Sequence, residues 1–295
     1  MINVIFTIRC NLYFYKRKNI IMKRILLLTD FSKNASNAIT YAMQFFSGDT
    51  ITFYVLNVQK VSKYITSDLI ASPKKSIYDS VIKNPKKALE ILVNDLKKEY
   101  ANEDYTFEGI CDYDSFVSAI KQLVEIEHVD MIVMGTNGAS SIKEAVFGSN
   151  TIQVIEKVDL PILVIPKKHK FCKPSQVLFI NETEISLEKN IVKPLLGIIS
   201  KFNSHLNVLT MVNQNEQDKY NLQKETLNSF FKDTILNFYT DQNKSIENAV
   251  EHIIATKEVH LVAKIIHVES FFKRIFTKAS MTEITYASKI PLLFL

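Results

Sequence analysis

The sequence predicts an α/β protein made of two halves, each built on a parallel β-sheet. Three observations carry that prediction. Short apolar runs alternate with stretches of helical periodicity, the pattern of strands joined by helical crossovers. The pattern then runs a second time, and the two runs superimpose without a gap near their ends. Val129-Asp-Met-Ile-Val-Met134 matches Val259-His-Leu-Val-Ala-Lys264, and Pro161-Ile-Leu-Val-Ile165 matches Pro291-Leu-Leu-Phe-Leu295, both at a shift of 130 residues. One shift that serves two separated blocks is an internal duplication. The third observation is length, since 295 residues accommodate two domains of ordinary size.

The elements follow in order. Residues 1–21 are apolar and end in the basic run Lys16-Arg17-Lys18, but Arg9 and Asn11 interrupt them and no small-residue cleavage site follows. They read as neither a secretory signal nor a membrane span. They are expected to form a poorly ordered extension, with translation starting at Met22. From Arg24 to Thr29 a continuous apolar run predicts a strand buried on both faces. Asp30 and Ser32 offer capping oxygens for a helix through Phe46, with Ala35, Ala38, Ile39, Ala42 and Phe45 on one side. Thr50 to Val58, β-branched and aromatic, predicts the second strand. Residues 59–86 form a polar excursion longer than an ordinary connection and long enough to serve as a lid. A helix over 86–100 places Ala88, Leu89, Leu92 and Leu96 at helical spacing. Tyr105 to Cys111 predicts a strand, Ser115 to Glu127 a helix, Asp130 to Gly135 a strand, Ser149 to Val158 a helix and Pro161 to Ile165 a strand.

A charged stretch bounded by Pro166 and Pro174 reads as a solvated connection. The expected organisation is an extension (1–21), a first domain (22–167), a linker (168–174) and a second domain (175–295). In the second half the predicted strands are Val177 to Asn181, His205 to Val212, Thr234 to Tyr239, Val259 to Ile265 and Pro291 to Leu295. Helices are predicted over Ser186 to Phe202, residues 217–231 and Ser245 to Lys257.

Composition excludes several classes. Hydrophobic residues at 47% and charged residues at 23% rule out a disordered or low-complexity chain. A net charge of +5 is mild, and it suits an anionic ligand better than nucleic acid. Cys10, Cys111 and Cys172 lie far apart, with no CxxC pair and no disulfide framework, which fits a reducing cytoplasm. The six histidines never pair at metal-ligand spacing, so no metal site is expected. No Ser-His-Asp set, arginine finger or paired carboxylates support rapid turnover, so no catalytic residue is assigned.

Glycine use points to the site. Only six glycines occur in 295 residues, and three of them, Gly135, Gly138 and Gly148, fall in one short window. Gly135 follows a buried strand directly, and Gly148-Ser149 opens a helix. In doubly wound sheets ligands bind at the carboxyl ends of strands. A helix N-terminus presents unpaired N–H groups and partial positive charge. Glycines let that backbone approach phosphate oxygens, Ser149 adds a hydroxyl, and Asn137 and Asn150 add amides. The window therefore predicts a polyphosphate lying across 135–138 and 148–150. The blander reading makes Gly135 a strand-end turn, Gly138 a loop glycine and Ser149 a helix cap. Neither GxxxxGK[ST] nor GxGxxG occurs here.

The spacing of this window, Gly135-Thr-Asn-Gly138, nine residues, then Gly148-Ser149, resembles that of the universal stress protein family. The resemblance spans residues 23–167. It includes Leu28-Thr29-Asp30-Phe31-Ser32, Leu56-Asn57-Val58, Asp130 to Gly135, Gly148-Ser149-Asn150-Thr151 and Leu160 to Ile165. The whole chain looks like a tandem member. The resemblance implies two Rossmann-like, adenine nucleotide α-hydrolase-like domains, each with a five-stranded parallel sheet flanked by helices. It implies a cytoplasmic protein that binds ATP in its first domain and acts as a nucleotide-responsive stress module. Asp30 matches the acidic residue that contacts the nucleoside, and Val58 the position that packs the adenine and offers it backbone hydrogen bonds. Gly135, Asn137, Gly138, Gly148, Ser149 and Asn150 match the ribose and phosphate contacts. Leu28 stands where proline is common and Asn57 where histidine is common, and neither change removes a phosphate donor. Taken singly, Asp30 fits a helix cap as well, and Val58 fits core packing.

At the shift of 130, Gly135, Gly138, Gly148 and Ser149 become Ile265, Val268, Lys278 and Ala279, and Glu182 is the best counterpart of Asp30. One ATP per chain is expected, with Mg2+ only as a companion of its phosphates. Gly138→Val is expected to abolish binding and Val268→Gly to matter little. Domains of this family commonly pair through their last strands. Leu163-Val-Ile165 and Leu292-Leu-Phe-Leu295 are accordingly expected to pair within the chain, which also covers two apolar edges. A homodimer and an unidentified protein partner stay open, and no nucleic-acid or membrane partner is expected. Three rivals remain: a slow ATPase or autophosphorylating protein, an adenylating enzyme, and a nucleotide-free interaction module. The adenylating enzyme would need a glycine- or serine-rich loop after the first strand, where Thr29-Asp-Phe-Ser-Lys-Asn34 has no glycine. The intact 135–149 motif argues against the nucleotide-free module.

Overall fold

The computed structural model describes residues 23–59, 84–136, 147–182, 187–212, 216–241, 246–266 and 289–295. The expected extension, most of the 59–86 excursion, and the expectations for Asn137, Gly138, Val268, Lys278 and Ala279 lie outside these residues.

The first half runs β1 (Arg24–Leu28), α1 (Lys33–Phe45), β2 (Ile51–Val58), α2 (Asn84–Glu99), β3 (Tyr105–Asp112), α3 (Phe116–Glu127), β4 (Met131–Gly135), α4 (Ser149–Lys157) and β5 (Ile162–Ile165). The second runs β6 (Gln176–Glu182), α5 (Lys189–Phe202), β7 (His205–Met211), α6 (Gln217–Phe230), β8 (Leu236–Asp241), α7 (Ile246–Lys257), β9 (Leu261–Lys264) and β10 (Leu292–Phe294). Each corresponds to an element that the periodicity predicts. Local side chains set the ends. Ser32 caps α1 by accepting from the Ala35 amide at 3.2 Å, and Ser115 caps α3 by accepting from Ser118 at 3.3 Å. His128 and Asn203 end α3 and α5 in left-handed conformations, with φ of 48° and 52°.

The strands form one ten-stranded sheet in the order β3-β2-β1-β4-β5-β10-β9-β6-β7-β8. The two predicted five-stranded sheets are therefore halves of a single sheet. Neighbours are parallel within each half, and β5 and β10 meet antiparallel. At that seam Leu163 faces Leu293, its own equivalent at the shift of 130, flanked by Val164 against Leu292 and Ile162 against Phe294. A pseudo-twofold axis thus passes between the two leucines, as in an isologous dimer interface.

Strand alternation divides the apolar residues between two faces. One carries Ile25, Leu27, Phe53, Val177 and Phe179 beneath α1, α2, α5 and α6. The other carries Leu26, Leu28, Ile132, Val164 and Leu178 beneath α3, α4 and α7. Both cores draw residues from both halves. Across the seam, Phe45 at the end of α1 meets Phe202 at the end of α5, ring centroids 5.1 Å apart. A buried ion pair joins Lys201 to Asp49, and the same ammonium donates to the Ser47 carbonyl at 3.0 Å. The connection between halves is itself partly packed. Lys167, Lys168, Lys170 and Lys173 are exposed, while Phe171 sits 5.3 Å from Tyr41 and the His169 carbonyl accepts from Asn37 at 3.1 Å.

Candidate functional site

The strand order places β1 between β2 and β4, and the chain reverses its direction of progress across the sheet there. The connections that leave the carboxyl ends of β1 and β4 lead to helices on opposite faces of the sheet, and such a point leaves a crevice between them. Asp30 follows β1, Val58 ends the neighbouring β2, Gly135 ends β4, and the Gly148 amide ties the start of α4 to Thr136 just past β4.

The β1 end is tied down through its backbone. The Thr29 amide donates to Leu56 at 3.0 Å, its hydroxyl accepts from Phe31 at 3.0 Å, and its carbonyl accepts from the buried Asn57 amide group at 2.8 Å. Asp30 is exposed, and its carboxylate accepts from the Ser32 amide at 3.0 Å. Asp30 therefore shapes the turn before the helix, while Ser32 supplies the cap. Phe31 between them takes a φ of 60°, in the left-handed region that costs a bulky residue energy. Val58 ends β2 half-buried, packed against the core on the α3 and α4 face.

Gly135 has a packing reason of its own. A Cβ there would meet the Asn34 carbonyl oxygen of α1 at 3.1 Å and its carbonyl carbon at 3.3 Å. That absent side chain faces α1, on the sheet face opposite the one that buries Met134 against α4. The α4 start is different. Its cap residue, Gly148, has φ −72° and ψ 157°, which any residue adopts, and no side-chain oxygen caps the helix. Gly148 donates to the Thr136 carbonyl at 2.7 Å. The buried Thr151 hydroxyl lies 2.9 Å from that same carbonyl and 3.2 Å from that of Gly135. Ser149 and Asn150 are exposed at the helix start. The first-turn amides and the positive end of the helix dipole can receive an anion.

Thr136, Thr151 and Asn57 hold this arrangement, and sequence reasoning quoted them only as members of motifs, with no structural role. A Thr three residues after a cap glycine is a weak signal, because such hydroxyls commonly serve their own helix. Among the described residues no three His, Cys, Asp or Glu side chains gather as metal ligands.

The equivalent place in the second half is built otherwise. Val177 faces Leu261 as Ile25 faces Met131, which sets Glu182 at the place of Asp30 and Lys264 at that of Met134. Those two side chains form an ion pair of 2.9 Å. Ile265 is buried where the first half has Gly135. α5 starts at Lys189, seven residues past Glu182, whereas α1 starts at Lys33, three past Asp30. The Thr29–Asn57 pair is exchanged for Asn181–Thr210, with the Asn181 amide donating to Thr210 at 3.2 Å and to Gln223 at 2.7 Å.

Comparison with known proteins adds the following. Residues 22–166 match the universal stress protein family. A universal stress protein of Methanocaldococcus jannaschii is 29% identical over 162 residues, 51% of this chain and 99% of that protein. The structure of a universal stress protein from Archaeoglobus fulgidus covers 94% of this chain and 97% of its own, with a TM-score of 0.69 at 16% identity. A Pseudomonas aeruginosa protein titled as functionally unknown covers 93% and 92%, with a TM-score of 0.57 at 11% identity. The two structural likenesses extend the shared fold over both halves.

Proposed function

The chain belongs, through residues 22–166, to the universal stress protein family, and from that premise we propose that it binds ATP in its first half and serves as a cytoplasmic, nucleotide-responsive stress module. In this reading 22–167 is the nucleotide-binding unit, 168–174 the connection and 175–295 a partner that has lost the ligand. The observation that supports it is the meeting of Asp30, Val58 and an α4 start without a side-chain cap at the β1/β4 switch point. Asp30 would hold the nucleoside and Val58 the adenine. The backbone from Gly135 to Gly138, with Asn137, and the Gly148-Ser149-Asn150 turn would hold ribose and phosphates. Mg2+ would travel with the phosphates. The Glu182–Lys264 ion pair and buried Ile265 favour a second half without nucleotide. No described helix is long and apolar enough to cross a membrane.

Titration calorimetry with ATP tests this. We expect one ATP per chain. Because the Gly148 backbone suits any residue, Gly148→Val should keep the fold, while its side chain holds a phosphate off the first-turn amides and lowers ATP affinity by about tenfold or more, as much as one charge-assisted hydrogen bond. Two equivalent sites, or no binding to the wild-type chain, would refute the proposal.

A further inference from the structure

We propose that the second half takes part in the first half's nucleotide site, with Phe294 of β10 acting as a positioning residue that seats Phe147 and so holds the first turn of α4. This rests on the ATP reading above. Phe147 immediately precedes the cap residue Gly148. Its ring lies 6.3 Å from that of Phe294, inclined at 64°, and both residues are buried. Phe294 is itself fixed on two sides, by Ile162 of β5 and Lys264 of β9.

A residue placed just before a helix cap often packs against the fourth position of its own helix and so sets the entry angle of the chain. Here Phe147 also reaches a ring from the other half. That matters because the cap is a glycine, whose backbone is the least constrained of any residue. Gly148 has no side chain to lock the turn, so its neighbours must. On the helix side the lock is Thr151, through its hydroxyl on the Gly135 and Thr136 carbonyls. On the entry side it is Phe147 against Phe294. If Phe147 is released, the Ser149 and Asn150 amides lose their aim, while Asp30 and Val58, which belong to β1 and β2, keep theirs. The effect should fall on the phosphates and spare the nucleoside.

The experiment uses the full chain and compares ATP with adenosine, alongside hydrogen exchange, without ligand, of the amides at 152–155, the first of which bonds to the Gly148 carbonyl at 3.1 Å. In Phe294→Ala we expect ATP affinity to fall about tenfold and adenosine affinity to stay within about twofold, as for one weakened charged hydrogen bond. Exchange at 152–155 should quicken, and Phe294→Leu should restore both. Phe147→Ala should reproduce the split, and the double variant should add little to either single one. This second route keeps the test open if Phe294→Ala folds poorly. Equal losses for ATP and adenosine, or unchanged ATP affinity with unchanged exchange, would overturn the inference alone. A wild-type chain that binds no ATP would overturn the nucleotide reading and this inference with it.

Discussion

Gly135 and Gly148 belong to one spaced motif, yet the structure separates their physical duties. A methyl group at 135 would press on the backbone of Asn34, which cannot swing aside as a side chain tip can. Gly135→Ala should therefore cost about 1–3 kcal/mol of stability in denaturant unfolding, the usual range for overpacking. Gly148→Ala should stay within about 0.5 kcal/mol of wild type, because the N-cap preference for glycine over alanine is offset by alanine's smaller freedom in the unfolded chain. Equal losses at both positions would contradict this division. The sequence read Gly135 as room for a phosphate or as a strand-end turn, and did not report the neighbour that a side chain there would strike. That neighbour, Asn34, lies on another element, and spacing along the chain cannot report it. His169 carries the pH-sensitive prediction at this scale. Burial pushes its imidazole below the usual range, and its Nε2 is buried without a partner among the described residues. A lowered folded pKa means that the unfolded chain binds the proton more readily. The neutral ring thus contributes its full stability above about pH 6.5, and the contribution is lost as pH falls through the lower folded value. The unfolding midpoint should drop on acidification from pH 7.5 to 5.5, and His169→Gln should flatten that drop relative to wild type.

At the scale of elements, helix and strand positions were legible because they depend on local periodicity and caps. Ser32 and Ser115 lie one residue before the helices they cap, where their hydroxyls reach the third helical amide. The contact between α1 and α5 was not legible. Apolar spacing marks Phe45 and Phe202 as buried without saying that they meet each other. The Lys201–Asp49 pair at this contact is buried on both sides, with side-chain exposures of 11% and 5%. Breaking such a pair leaves an uncompensated charge, so Lys201→Ala should lower unfolding free energy by about 3–5 kcal/mol. Replacing both residues with apolar ones should recover much of that loss. A Lys201→Ala variant as stable as wild type would mean that the pair contributes nothing.

For the whole molecule, the continuous sheet and the two shared cores predict a single cooperative unfolding transition. Calorimetry should show one peak, shifted intact by Lys201→Ala. Two peaks, of which the variant moves only one, would show halves that fold independently. Duplication, strand order along the chain and the spaced glycine window were present in the sequence by itself, because repeats, periodicity and turn residues are local signals, whereas the β5–β10 pairing was expected only through the family resemblance. Only the tertiary structure decided that Gly135 faces α1, that Lys264 pairs with Glu182 where the first half has Met134 and Asp30, and that Phe294 touches the residue before Gly148. Each of these is a contact between residues far apart along the chain, and which of them meet is set by how the faces of one sheet are packed.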